Sequence, residues 1–217
     1  MKKKYVLFDF DGVIADTERS NEEFLRNALA QYGIELTVED RKSMLGTNNK
    51  SIIDSLLAKS PIPVSRAEFQ ETRDRMGNTY ENTDILPMPG LRNMLEYLKN
   101  NKIKMAIASS TSSRLILSAL DRMDLTKYFD VIVCGDMCSE SKPHPQIYLK
   151  TMKYLGANCE ECIVIEDSSA GIKAGKNAGA YVIAYTGSSI EQDISEAKCS
   201  VSSYCQCQKL LNTLLCL

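Results

Sequence analysis

Short apolar runs alternate with helical patterning along most of this chain, and one gap in that alternation is far too long. The runs at 5–10, 104–109, 130–134, 162–166 and 181–184 have the length and residue types of buried strands. Apolar residues at helical spacing fill 91–100, 113–123, 146–154 and 171–178. Strands that alternate with helices imply βαβ units, right-handed crossovers and a parallel sheet. The expected class is therefore α/β, with a Rossmann-like parallel sheet core. The stretch between the first two runs cannot be a single crossover. Within it, residues 18–84 hold no convincing strand but several helix signals. Phe24, Leu25, Ala28, Leu29 and Tyr32 make an apolar stripe that Gly33 ends. Thr37 and Ser65 are expected N-caps, Ser65 with Glu68 as a capping box. The segment 84–90, DILPMPG, reads as a stiff linker. The expected organisation is an α/β core of 1–17 and 85–217, a helical cap of 18–84 inserted after the first strand, and a closing helix near 204–217.

Composition narrows the function classes. The 217 residues can bury a substantial core, and 44% apolar with 25% charged residues describes an ordinary globular protein. A formal charge of −2 leaves no basic excess to neutralise phosphates in number, so neither nucleic acid nor an anionic membrane is an expected partner. Lys2, Lys3 and Lys4 precede an apolar run, but Asp9 breaks it before a signal-peptide core forms, and a cytoplasmic location is expected. The cysteine pairs Cys134/Cys138, Cys159/Cys162 and Cys205/Cys207 sit too far apart in an α/β chain to suggest one zinc site, so free thiols are expected.

The first strand ends in Asp9-Phe10-Asp11-Gly12. Strand side chains repeat every second residue, so Asp9 and Asp11 emerge on one side. Two such acids are costly to desolvate unless a cation or a reaction needs them. In an open parallel sheet, ligands bind beyond the carboxyl ends of the strands. Ser109, Ser110 and Thr111 end the second strand and lead into a helix, so hydroxyls and free backbone N–H groups there suit a phosphate. Glu166 and Asp167 end the fourth strand. Lys142, in Ser141-Lys142-Pro143-His144-Pro145, precedes a helix that Pro145 can start. Gly171, Gly175 and Gly179 lack the spacing of a phosphate loop, because Asn177 stands where Ser or Thr would be required; close packing of a helix on the sheet is the better account. His144, the only histidine, has no G-x-S-x-G elbow to serve, and reads as a solvent-facing loop residue.

Together these motifs resemble the haloacid dehalogenase superfamily, in its phosphatase and phosphomutase branch with a small helical cap. DFDGVIADTE, ASSTS, SKPHP and VIEDSSAGIKAGKNAG occur in the family's order, and the cap position and LPMPG linker agree as well. The resemblance implies that Asp9 is the nucleophile that forms an aspartyl-phosphate and that Asp11 is the acid/base. It implies Mg²⁺ on Asp9, on the backbone carbonyl of Asp11 and on Asp167, with Glu166 as a further ligand or behind them. Ser109, Ser110 and Lys142 would hold the phosphoryl oxygens. Relatives without the second acid carry out dehalogenation; Asp11 favours phosphoryl transfer.

The cap is expected to choose the substrate, and Asn21, Asn49 and Arg75 are candidate contacts for a small phosphorylated sugar or organic acid. Sugar phosphomutases of this branch carry a histidine shortly after the DT of the first motif; Asn21 stands here, and an amide cannot shuttle a proton as imidazole can. Phosphonate-cleaving relatives need a cap lysine, and none is evident in 18–26. The expected activity is thus hydrolysis of small phosphomonoesters, with a β-phosphoglucomutase-like isomerase as the alternative.

Overall fold

The computed structural model describes residues 3–40, 50–188 and 192–216. Six parallel strands form one sheet: β1 (Tyr5–Phe8), β2 (Lys104–Ser109), β3 (Val131–Cys134), β4 (Cys162–Glu166), β5 (Tyr181–Tyr185) and β6 (Cys199–Val201). Their order is β3-β2-β1-β4-β5-β6. The chain builds outward from β1 on one side, then crosses back to β4 and builds outward on the other. The β1–β4 boundary is thus the place where the strand order reverses, and where such sheets open a ligand crevice. In register, Phe8 lies beside Ile107 on one side and Ile165 on the other.

The strands read as unbroken apolar runs because both sheet faces are covered. Val6, Phe8, Ile107, Ile163 and Ile165 pack under α5 (Leu91–Asn100), α6 (Ser113–Arg122) and α9 (Tyr204–Leu215). Leu7, Ala106, Ala108 and Val164 face α7 (Gln146–Leu155) and α8 (Ser169–Asn177). Each fully buried branched or aromatic side chain contributes about 1.5–3 kcal/mol to this three-layer packing.

Between β1 and β2 lie α1 (Glu18–Ala30), α2 (Lys50–Leu57), α3 (Arg66–Met76) and α4 (Thr79–Asn82). Leu25, Ala28, Leu29, Leu56, Leu57 and Phe69 form a hydrophobic cluster of their own there. The expected capping box at Ser65 is present, with Glu68 reciprocating, and the Thr37 hydroxyl accepts from the Asp40 amide at 3.2 Å. Gly77, at φ +87°, breaks the path between α3 and α4. Helix α4 then lies against α6. Arg122 donates to the carbonyls of Tyr80 (2.9 Å) and Thr83 (2.8 Å), and Arg114 pairs with Glu81.

The two connections to the sheet are fastened to each other. Met88 donates its amide to the Ile14 carbonyl at 2.8 Å, and Ala15 forms an antiparallel bridge with Pro87. Strand β1 stops at Phe8 rather than 10, because the Phe10 carbonyl gathers the amides of Val13, Ile14 and Ala15 into a tight turn. Strand β6 was not expected from the sequence. Among the described residues, no helix is long and apolar enough to cross a membrane.

Candidate active site

Adjacent strands β2, β1 and β4 deliver Ser109, Asp9 and Glu166 to the sheet's carboxyl edge, and the loop before α7 adds Lys142. The Lys142 ammonium lies 2.5 Å from Asp9 Oδ1, 2.6 Å from Glu166 Oε1 and 3.1 Å from the Ala108 carbonyl. Lys142 and both carboxylates are almost wholly buried. Burial pushes the Asp9 carboxyl up to about 8; the Lys142 charge opposes that shift, and Glu166 and Asp11 add to it. For Lys142, burial favours the neutral amine, but Asp9 and Glu166 more than reverse this and hold its pKa well above the usual lysine value.

Glu166 is fully buried and engaged on both oxygens. Oε1 accepts from Lys142 and from the Tyr148 hydroxyl at 2.9 Å, and Oε2 accepts from the amide and hydroxyl of Ser168, each at 3.0 Å. A Cβ at residue 171 would meet Glu166 Oε1 at 1.6 Å, so Gly171 makes room for this carboxylate. The helix-on-sheet account suits Gly175, whose missing Cβ would touch Val182 and Val164, but not Gly171. A Cβ on Gly12 would meet Asp167 Oδ2 at 1.9 Å, so the turn after β1 presses directly on Asp167.

Asp11 is held by three hydroxyls. Thr17 and Tyr80 donate to Oδ1 at 2.5 and 2.6 Å, and Thr111 donates to Oδ2 at 3.0 Å. Tyr80 comes from α4, so the insertion places a phenol directly on this acid. Burial, then the Asp11 charge, pushes that phenol's pKa up, which keeps it a donor.

The surroundings of the other expected residues follow. Ser109 is fully buried, as a crevice residue can be, but its Oγ accepts the Thr111 amide at 3.1 Å. The amide and hydroxyl of Ser113, at the start of α6, are taken by Asp136 at 3.0 and 2.6 Å. The N–H groups expected to be free after β2 are therefore partly spent, because a carboxylate already neutralises that helix end. Ser110 is exposed beside Gly135. Arg75 is exposed and donates to Thr72 within its own helix at 3.2 Å. Asn21 lies close enough to the Tyr80 hydroxyl to favour its ionised form slightly, against the larger effects of burial and Asp11. Asn49 lies outside the described residues. His144 is exposed, and its Nδ1 accepts the Gln146 amide at 3.3 Å.

Tyr80, Tyr148 and Ser168 were not singled out from sequence. Tyr80 sits in a four-residue helix far from any strand end, and Tyr148 reads as one more apolar residue on the buried face of α7. No spacing rule marks either of them.

The donor set suits a hard cation. Asp9, Glu166 and Asp167 each offer a carboxylate oxygen within 4.8 Å of the others, and all three residues are buried. Three buried acids share this end of the sheet with one ammonium, which pairs with two of them, an excess of negative charge that is costly to bury uncompensated. Oxygen-only ligation favours a magnesium- or calcium-like ion over a thiol- or imidazole-bound metal.

A family model described as haloacid dehalogenase-like hydrolase matches residues 6–185. The chain is 36% identical over 174 residues to the phosphorylated carbohydrates phosphatase of Thermotoga maritima, a match covering 80% of this chain and 81% of that protein. It is 30% identical to the beta-phosphoglucomutase of Bacillus subtilis, with 83% and 82% covered. Among solved structures, a family IA hydrolase from Entamoeba histolytica superposes over the whole of both chains with a TM-score of 0.82 at 26% identity.

Proposed function

The chain belongs to the haloacid dehalogenase-like hydrolases, and on that premise we propose that it hydrolyses small phosphomonoesters through an aspartyl-phosphate on Asp9. The observation that carries this reading is the Asp9–Lys142–Glu166 cluster at the strand-order reversal, with Asp11 alongside on its own set of hydroxyls. The substrate class is phosphorylated sugars or organic acids, consistent with the name of the Thermotoga relative. The small cluster offers no track for nucleic acid, and the setting is taken as cytoplasmic.

Mg²⁺ is the proposed cofactor, held by the side chains of Asp9 and Asp167 and the backbone carbonyl of Asp11. Bound there, it would keep Asp9 ionised and offset the charge of the substrate phosphate. Asp9 attacks phosphorus as the ester P–O bond breaks, and Asp11 gives its proton to the leaving alcohol oxygen. In the second half, Asp11 takes a proton from water, whose oxygen attacks the aspartyl-phosphate and restores Asp9. Lys142 and Ser109 hold the transferring oxygens, where charge-assisted bonds are roughly twice as strong as neutral ones. A positioned acid/base of this kind supplies about 10²–10⁴ in rate.

Hydrolysis is favoured over phosphomutation by Asn21. It stands where the mutase histidine is expected, and an amide cannot shuttle a proton as imidazole can. The test is phosphate release from a panel of sugar and organic-acid phosphates with MgCl₂. Turnover of at least one ester, abolished in Asp9→Asn, is expected. Conversion of β-glucose 1-phosphate to glucose 6-phosphate faster than phosphate release would establish the mutase instead, and full activity of Asp9→Asn would overturn the mechanism.

A further inference from the structure

Beneath the catalytic lysine lies a tyrosine that these steps do not use. Tyr148 is fully buried in α7, among the side chains that cover one sheet face. Two contacts tie it to the site. Its hydroxyl donates to Glu166 Oε1 at 2.9 Å, the same oxygen that Lys142 reaches at 2.6 Å. Its ring face lies under the ammonium, with Nζ 5.1 Å from the centroid.

Two consequences follow from counting donors and acceptors. A carboxylate offers about four lone-pair positions, and Glu166 has all of them occupied. It therefore cannot take a further partner without releasing one. The ammonium is equally committed, since its three N–H bonds point to Asp9, Glu166 and the Ala108 carbonyl. To grip a phosphoryl oxygen, Lys142 must let one of these go. Of the two carboxylate oxygens, Glu166 Oε1 is the one that also accepts from a second side chain, Tyr148, and an acceptor that divides its charge between two donors holds each less tightly. The Tyr148 hydroxyl is directed at Oε1 as the competing donor.

We propose that Tyr148 is a positioning residue for Lys142: its hydroxyl loosens the Glu166 arm so that the ammonium can turn to the phosphoryl group, while its ring keeps the charge at the crevice. Without the hydroxyl, Glu166 Oε1 belongs to Lys142 alone and draws it back into the sheet. The ring explains why an aliphatic residue would not serve, because an aromatic face stabilises the ammonium without taking up an N–H bond.

The inference rests on the phosphatase reading, and the test separates the two. Calorimetric binding of inorganic phosphate in MgCl₂ needs no turnover. Tyr148→Phe is expected to bind phosphate about tenfold more weakly, with the MgCl₂ concentration for half-maximal binding unchanged within twofold. In a Lys142→Ala background, the same Tyr148→Phe change is expected to cost nothing further, because the group it acts through is gone. Undiminished phosphate affinity in Tyr148→Phe overturns the proposal. So does a loss that persists in the Lys142→Ala background, which would be the mark of damaged packing. If the wild-type protein binds no phosphate, the phosphatase reading fails and this one fails with it.

Discussion

Replacing Gly171 with alanine sets two physical effects against each other, and the structure decides which wins. Gly171 is the third residue of α8 and is buried. Propensity alone predicts that alanine there should stabilise the helix by about 1 kcal/mol. However, the added Cβ would lie 1.6 Å from Glu166 Oε1, 2.0 Å from its Cδ and 2.4 Å from Oε2. Reaching an ordinary contact of 3.4 Å requires Oε1 to retreat by about 1.8 Å. Its bonds to Lys142 and Tyr148, at 2.6 and 2.9 Å, do not survive such a displacement. Two hydrogen bonds to a charged group, at about 1.5–3 kcal/mol each, amount to a loss of about 3–6 kcal/mol. After the helix gain, the net destabilisation is about 2–5 kcal/mol. For a chain of this length that is a fall of about 4–20 °C in melting temperature. Urea and thermal unfolding of Gly171→Ala beside wild type measure it directly. A Gly171→Ala variant as stable as wild type, or more so, would refute the reasoning, because propensity would then be the larger effect.

Other outcomes are expected elsewhere in the molecule. Tyr80→Phe removes one of three donors to Asp11 and should lower kcat about tenfold, the equivalent of one hydrogen bond of about 1.4 kcal/mol; steady-state kinetics that leave kcat unchanged would count against it. Burial pushes the thiols of Cys134, Cys162 and Cys207 up to about 12, so at pH 8 a disulfide reagent should label the exposed Cys205 and Cys216 quickly and these three only on unfolding. Hydrogen bonds from Lys59 and Thr37 hold Asp40 down at about 2. A depressed carboxyl contributes stability above its unfolded value near 3.8 and loses it as pH falls through about 2, so a carbon-detected NMR titration should place the Asp40 midpoint near 2 and Lys59→Ala should move it upward.

The sheet was legible because strands covered on both faces carry apolar residues without interruption, and β1, β2 and β4 leave few alternatives. Strand β6 escaped because Cys199–Val201 is three residues at an edge, only partly buried, with no run to detect. Phe10 reads as part of β1 because it is apolar; its backbone carbonyl, invisible in a hydropathy pattern, closes the turn instead. Asp9, Ser109, Glu166 and Asp167 could be placed in advance because a parallel sheet aligns its strand ends. Lys142 needed its motif, since a loop lysine has no periodicity to position it. Tyr80 and Tyr148 depended on how helices dock: α4 is oriented by Arg114 and Arg122 of a helix some thirty to forty positions downstream, and no local pattern encodes that contact. The same limit applies to the amide at Ser113, whose acceptor, Asp136, comes from beyond the next strand.

The paired connections at Ile14–Ala15 and Pro87–Met88 bear on how this architecture tolerates change. Because the chain leaves the sheet and returns to it at one hydrogen-bonded point, the sheet experiences the whole helical insertion as a loop whose ends are already joined. The entropic cost of loop length rises only by about 0.6 kcal/mol per doubling. Lengthening, trimming or exchanging the helices between those connections thus leaves strand register and the buried carboxylates at the strand ends under little strain. What such an exchange must preserve is small: a phenol at the position of Tyr80, delivered by a segment still anchored to α6. The sheet edge and the helical insertion can then diverge at different rates within one polypeptide.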